Sequence, residues 1–372
     1  MKIIIFIHAL TSGGAERVGV NLANRWAESG HNVTILTLSD VCNDFYKVNE
    51  NVNRIGLSLS GESTGKFRSI VENINRIREI RFLLKKLQPD IALSFMGTAN
   101  VILGIASIGI KNIGFIGSER THPPEVPLPY EWDYLRKIIY RKLDSIVVLT
   151  DETALWMNKN IDTQRIDIIP NAAIWPIPLY KPVITPNFKI DDKVLLAVGR
   201  LSEEKRFDVL ISIFSHITDR FPEWKLCIVG EGSERFFLEK LIHTLKLEKQ
   251  VFLVGRVGNI NQWYESSDIY LMSSRVEGFP NTLVEAMSSG LAAISFDCDT
   301  GPRDIIKNRV NGLLIRNNDL YAFNEAIVEL MIDEKMRKRL SKNALEIRKK
   351  YSIDKIDKLW MNLFTDICNH KS

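Results

Sequence analysis

Residues 276–290, Val-Glu-Gly-Phe-Pro-Asn-Thr-Leu-Val-Glu-Ala-Met-Ser-Ser-Gly, decide how this chain is read. Glu277 and Glu285 bracket seven residues. Gly278, Pro280 and Asn281 read as a turn. Asn281 suits a helix cap, the residues from Leu283 to Met287 favour helix, and Gly290 stands where a helix stops. Glu277 is thus expected in a loop at the mouth of a helix, with Glu285 one turn inside. The first N–H groups of that helix, at Asn281, Thr282 and Leu283, and its positive dipole end are expected to suit a phosphate. A carboxylate one turn away can take ribose hydroxyls, and one before the helix can take those of a second polyol. The stretch reads as a site for a nucleotide-linked sugar.

Working outward, the second half alternates strands and helices. Val194 to Val198, Lys225 to Val229, Val251 to Val254, Asp268 to Met272 and Ala292 to Phe296 read as strands. Arg200 and Lys205 follow the first of these, at the same end of the sheet as Glu277. Two cations there suit a diphosphate through charge-assisted hydrogen bonds. The first half alternates likewise. Lys2 to His8 is an apolar run, followed by Gly13-Gly14, a helix and a strand from Val33 to Leu38. The glycine pair allows close approach of a ligand, and a plain tight turn fits it as well. Ser118 to Pro124, with Glu119, Arg120 and His122, forms a loop at a strand's carboxyl end.

Pro170 to Pro186 holds five prolines and reads as an interdomain linker. The expected domains are 1–172 and 173–354. An amphipathic tail carrying Ile356, Leu359, Trp360, Leu363 and Phe364 is expected to cross back to the first domain as helix 355–372. Lys66 to Leu87 reads as one long helix. Phe67, Ile70, Val71, Ile74, Ile77, Leu84 and Leu87 lie on its apolar side, and arginines and lysines make the other side basic. Arg136, Lys137, Arg141 and Lys142 form a second basic patch. Both are read either as solvated faces or as a surface for anionic lipid.

At 372 residues the chain exceeds one ordinary core. A net charge of +4 gives no reason to expect bulk nucleic-acid binding. The four cysteines show no CxxC spacing and suit a reducing compartment. Met1 to Leu10 reads as a first strand rather than a signal peptide. Ile91 to Ile110 is apolar, but Asn100 and three glycines argue against a membrane span. Asp297-Cys298-Asp299 superficially resembles a divalent-ion motif. It equally suits a turn, and no metal is expected.

GGAER near the N-terminus, VGRLSEEK at Val198 to Lys205, EGFPNTLVE at Glu277 to Glu285 and the following SFDCDTGPRDII resemble family 4 of the glycosyltransferases over essentially the whole chain. The resemblance implies the GT-B fold, an α/β architecture of two Rossmann-like parallel-sheet domains facing across a cleft. It also implies a metal-independent, retaining transfer of a hexose or N-acetylhexosamine. By the same resemblance, the first domain binds the acceptor and the second the UDP-sugar donor. Arg200 and Lys205 would neutralise the donor diphosphate, Glu285 would bind ribose, and Glu277 would touch the transferred sugar. Backbone around Arg256 and Val257 would meet the base, and Gly13 and Gly14 the diphosphate. Many members carry a histidine directly after the Ser-Glu pair of the first domain. That histidine is directed at the donor sugar; here Arg120 stands at that position and His122 lies two residues on, and the resemblance leaves either as the catalytic candidate of this loop. The similarity is to bacterial transferases that extend polyprenyl-diphosphate-linked glycans at the cytoplasmic face of the inner membrane, the amylovoran type included. A sugar-nucleotide epimerase or phosphorylase on the same fold, and a non-catalytic nucleotide-sugar-binding partner, remain open at this point.

Overall fold

A computed structural model describes residues 1–11, 13–61, 66–189 and 191–371. Ser12, in the expected glycine loop, lies outside the described residues, as does the Phe67 side chain. The chain divides into two compact units, Met1–Asn171 with Asp354–Ser372, and Ala172–Ile353.

The first unit carries strands β1 (Lys2–Ile7), β2 (Asn32–Thr37), β3 (Val52–Gly56), β4 (Ile91–Phe95), β5 (Gly114–Ser118), β6 (Ser145–Val148) and β7 (Ile166–Ile168). Its helices are α1 (Gly14–Glu28), α2 (Lys66–Leu87), α3 (Gly97–Ser107), α4 (Tyr130–Ile139) and α5 (Asp151–Asn160). The strands form one parallel sheet in the order β3-β2-β1-β4-β5-β6-β7. The direction of strand order reverses between β1 and β4. Continuous apolar runs such as Ile3 to Ile7 are buried, as a sheet covered on both faces requires.

The second unit carries β8 (Lys193–Val198), β9 (Trp224–Val229), β10 (Val251–Gly255), β11 (Ile269–Met272), β12 (Ala292–Asp297) and β13 (Leu313–Arg316). Its helices are α6 (Phe207–Ser215), α7 (Arg235–Thr244), α8 (Ile260–Glu265), α9 (Asn281–Ser288), α10 (Pro302–Ile305), α11 (Leu320–Ile332), α12 (Glu334–Ala344) and α13 (Ile347–Lys350). The sheet is parallel, ordered β10-β9-β8-β11-β12-β13, and reverses between β8 and β11. Ligands of such sheets bind beyond the carboxyl ends at the reversal.

The last helix, α14 (Ile353–Lys371), belongs to the first unit from Asp354 onward. Trp26 of α1 anchors it. That ring meets Trp360 at 6.1 Å and Phe364 at 5.1 Å, both edge-on, and its Nε1 donates to Asp357 at 2.9 Å. Leu359, on the other side of the helix, is exposed.

The proline-rich segment, expected as the interdomain linker, begins where the chain divides into its two units, and two other readings are corrected by the structure. Its backbone is laced onto the second unit, with Tyr180 N–H donating to Gly258 O at 2.9 Å and Gly258 N–H to Pro182 O at 2.6 Å. Gly258 must be glycine there, since a Cβ would lie 2.1 Å from the Tyr180 carbonyl. Arg136 is not part of a surface patch. It is buried against Glu119 and Asp133, because α4 turns that side chain inward. Ile70, Val71 and Ile74 of α2 are exposed rather than packed, while Ile80, Leu83 and Leu84 in its second half are buried. Among the described residues no helix is long and apolar enough to cross a membrane.

Burial predicts the cost of two adjacent substitutions in α14. Trp360→Ala lowers unfolding stability by about 3–5 kcal/mol. Leu359→Ala changes it by less than about 1 kcal/mol. Denaturant titration monitored by circular dichroism reads both.

Candidate functional site

Helix α9 runs from Asn281 with Pro280 in the cap position, so Asn281 is its first residue rather than its cap. A proline there surrenders no hydrogen bond, since the first-turn amides have no partner inside the helix. Thr300 Oγ1 donates to the Glu277 carbonyl and ties the turn after β12 to the loop before α9. Gly301, at φ +94, passes so close that a Cβ would lie 2.5 Å from Pro280 Cδ.

Glu277 is tightly held. Its Oε1 accepts from Lys205 Nζ at 2.7 Å and from Ser274 Oγ at 2.7 Å. The Lys205 and Glu277 side chains are 21% and 10% exposed, so the pair sits in partly excluded solvent where its attraction is screened little. Lys205 ends a single turn (Glu203–Lys205) after β8, and Glu277 follows β11. Their ion pair therefore bridges the two strands that flank the reversal of the sheet. Ser273 Oγ fastens the same loops by donating to the Lys205 carbonyl at 2.7 Å.

Glu285 is buried one turn into α9, and its Oε2 accepts from the Tyr264 hydroxyl at 3.2 Å. The Tyr270 hydroxyl donates to Thr282 Oγ1 at 2.8 Å, and the two tyrosine rings meet edge-on at 6.2 Å. Burial chiefly pushes the Tyr270 pKa up, and the charges of Glu277 and Glu285 push the same way. The Tyr264 hydroxyl also lies 3.4 Å from the Thr282 carbonyl, so it links Glu285 to the first turn of α9. Arg200 is exposed just beyond β8; burial pushes the neighbouring Glu204 carboxyl up, but hydrogen bonds from Ser202 and the backbone, with the charges of Lys205 and Arg200 behind them, bring it below the usual carboxylate range. Arg256 is exposed and Val257 half-buried after β10, where Gly255 adopts φ +89. Leu283 is a core residue, and its backbone N–H donates to the Pro280 carbonyl at 3.1 Å, as that of Asn281 does to the Phe279 carbonyl at 2.9 Å; these two amides are engaged rather than open as expected, because the chain turns tightly into α9.

Tyr264, Tyr270, Ser274 and Thr300 were not singled out by sequence. Nothing in their spacing marks them: Tyr264 reaches Glu285 from α8, Tyr270 reaches Thr282 from β11, Thr300 reaches the Glu277 carbonyl from the turn after β12, and Ser274 is an ordinary serine of the loop that carries Glu277. Cys298 is buried beside Glu277, and burial pushes its thiol up to about 12, leaving it unreactive. Asp297 pairs with Arg303 at 2.9 Å. Among the described residues no three His, Cys, Asp or Glu side chains gather as metal ligands.

Gly13, Gly14, Arg120 and His122 belong to the first unit. Gly13 N–H donates to Glu16 Oε2 at 3.0 Å, and Thr11 Oγ1 reaches the same carboxylate at 3.0 Å. The Glu16 carboxylate thus caps the first turn of α1 from one side only, and the Gly13-Gly14 turn is a helix start. His122 is buried with Nδ1 3.1 Å from Thr153 Oγ1. Arg120 is buried over the Phe95 ring, 4.4 Å from its centroid.

Removing one member of the Lys205–Glu277 pair leaves a half-buried charge alone. A double-mutant cycle of Lys205→Met and Glu277→Gln, read by denaturant unfolding, is expected to return a favourable coupling of about 1–3 kcal/mol. Additive single effects would show the pair to be inert.

Two family models match the chain. Glycosyltransferase Family 4 covers residues 12–173 and Glycosyl transferases group 1 covers residues 184–347. An uncharacterized glycosyltransferase of Methanocaldococcus jannaschii is 30% identical over 77% of this chain and 82% of its own length. A Campylobacter jejuni enzyme is 28% identical over 99% of both chains; it is described as a GalNAc-α-(1→4)-GalNAc-α-(1→3)-diNAcBac-PP-undecaprenol α-1,4-N-acetyl-D-galactosaminyltransferase. A mutant of S. aureus TarM in complex with Fondaparinux, α-GlcNAc-glycerol and UDP superposes with a TM-score of 0.77. It has 17% identity, and the match covers 98% of this chain and 99% of that one. With two parallel-sheet α/β units and both halves matched, the chain belongs to the family 4 glycosyltransferases of the GT-B fold.

Proposed function

We propose that the chain transfers a hexose or N-acetylhexosamine from a UDP-sugar to a polyprenyl-diphosphate-linked glycan, with retention at the anomeric carbon and without a metal. The observation that carries this reading is the ion pair of Lys205 with Glu277 at the reversal of the second sheet, with Glu285 one turn inside the helix that follows. Lys205 and Arg200 supply the positive charge that a leaving diphosphate requires. Glu285, steadied by Tyr264, takes the ribose hydroxyls. Glu277 takes hydroxyls of the transferred sugar through the oxygen that Lys205 does not occupy. The positive dipole end of α9 at Asn281, Thr282 and Leu283 favours the diphosphate, and the backbone of Arg256 and Val257 meets the base.

In this reading the acceptor hydroxyl attacks the anomeric carbon on the face from which UDP departs. The carbon–oxygen bond to the diphosphate breaks, its electron pair leaves with UDP, and the hydroxyl proton passes to a departing phosphate oxygen. Support for the acceptor comes from the Campylobacter jejuni relative, whose described substrate is linked to PP-undecaprenol. Membrane contact at the cytoplasmic face of the inner membrane follows from the same acceptor. Helix α2 suits it, with Ile70, Val71, Ile74 and Phe82 exposed beside Arg68, Arg78, Lys85 and Lys86. Lys137, Arg141 and Lys142 add exposed charge near Tyr130 and Tyr134.

Glu285→Ala and Lys205→Ala are each expected to lower transfer by about a hundredfold or more while the protein stays folded. A panel of UDP-sugars with short polyprenyl-diphosphate glycans, the product anomer read by NMR, tests this; full transfer by both variants, or an inverted anomer, refutes it. An epimerised donor without transfer would assign a different reaction. Sedimentation with anionic liposomes is expected to weaken with salt and with Ile70→Ser/Ile74→Ser. Binding indifferent to both would remove α2 from the membrane surface.

A further inference from the structure

The first unit contains a charge that its own residues leave unanswered. Among the described residues three arginines are buried: Arg120, Arg136 and Arg337. Arg136 meets the carboxylates of Glu119 and Asp133. Arg337 donates from Nη1 to the carbonyls of Leu330 at 2.6 Å and Met331 at 3.3 Å. Arg120 has neither kind of partner. Its Nη1 makes one long contact, 3.3 Å, to Ser118 Oγ, and its Nε and Nη2 are buried with no acceptor. Neighbouring Glu119 does not answer it, since its carboxylate accepts from Tyr140 and pairs with Arg136 instead. A buried guanidinium short of acceptors is strongly unfavourable unless it awaits one.

Its place in the fold points the same way. Arg120 lies two residues beyond β5, and its guanidinium rests on Phe95, the last residue of β4. The same ring packs under α1, where a Cβ on Gly19 would come within 3.0 Å of Phe95 Cε2. The guanidinium therefore sits at the carboxyl edge of the sheet next to the β1–β4 reversal, where α/β sheets take ligands. The planar fork of an arginine matches two oxygens of a carboxylate or phosphate.

We propose that Arg120 is an oxyanion-binding residue of the first unit, its vacant donors taking a phosphate or carboxylate group carried by a substrate. This rests on the transferase reading only in assigning the anion to a substrate. Two sources share the chemistry, a diphosphate linking glycan to lipid and the carboxylate of an acidic sugar.

Calorimetric titration of the full chain, with UDP present to occupy the second unit, tests the proposal with two probes, inorganic pyrophosphate and glucuronate. Arg120→Lys and Arg120→Met are compared with the parent, and each is melted in parallel. One probe is expected to bind the parent, about tenfold more weakly to Arg120→Lys and not measurably to Arg120→Met. The Arg120→Met protein is expected to melt no lower than the parent, because an unmet charge has been removed. Pyrophosphate as the binder assigns the linking diphosphate, and glucuronate an acidic sugar. Absence of binding by either probe, or equal binding by the parent and Arg120→Met, overturns the proposal. So does a lower melting temperature for Arg120→Met with unchanged binding, which would make the arginine a structural prop for Phe95. A failure of UDP itself to bind would strike the donor reading alone, since the Arg120 result is a comparison between variants.

Discussion

The ion pair between Lys205 and Glu277 holds the candidate site together. A parallel sheet delivers its loops to one edge, but it does not by itself fix where they stop. Lys205 arrives from β8 and Glu277 from β11, strands adjacent in the sheet yet far apart in sequence. Their contact, backed by Ser273 and Ser274, sets the distance between the loops. The pair also keeps each charge affordable in a partly dry place until a ligand arrives. A diphosphate would meet a cation already positioned by a carboxylate, so little reorganisation remains at the moment of reaction.

Around that pair the protein uses uncharged donors to hold its acids. Tyr264 holds Glu285, Tyr270 holds Thr282, and Thr300 pins the turn at Glu277. Each lies on a different element, and each is buried or nearly so. The first unit follows another logic. Its buried arginines differ sharply, one neutralised by Glu119 and Asp133, the other left with a phenylalanine ring and a hydroxyl. That contrast separates a structural charge from one held in readiness.

Much of this was legible in the sequence because the relevant physics is local. Apolar runs such as Ile3 to Ile7 marked buried parallel strands, and the turn and helix formers from Gly278 to Met287 marked a loop feeding a helix. What was not legible depended on which face an element turns inward. Arg136 looked like surface charge, yet α4 rotates it onto Glu119. Ile70, Val71 and Ile74 looked like core, yet the first half of α2 leaves them exposed. The prolines from 170 to 186 excluded helix and central strand correctly. They could not reveal the hydrogen bonds to Gly258, Asn259 and Trp263 that fix this segment to the second unit. Tyr264 and Tyr270 escaped notice for the same reason, as their hydroxyls matter only once three strands have been laid side by side.

The central claim is that one nucleotide diphosphate is held jointly by the loop after β8 and the helix after β11. A crystal structure of the full chain with UDP tests it most directly. The account predicts phosphate oxygens against Lys205 and Arg200, with the ribose hydroxyls on Glu285. UDP bound away from this edge, or bound here with Glu285 beyond hydrogen-bonding reach of the ribose, would contradict it.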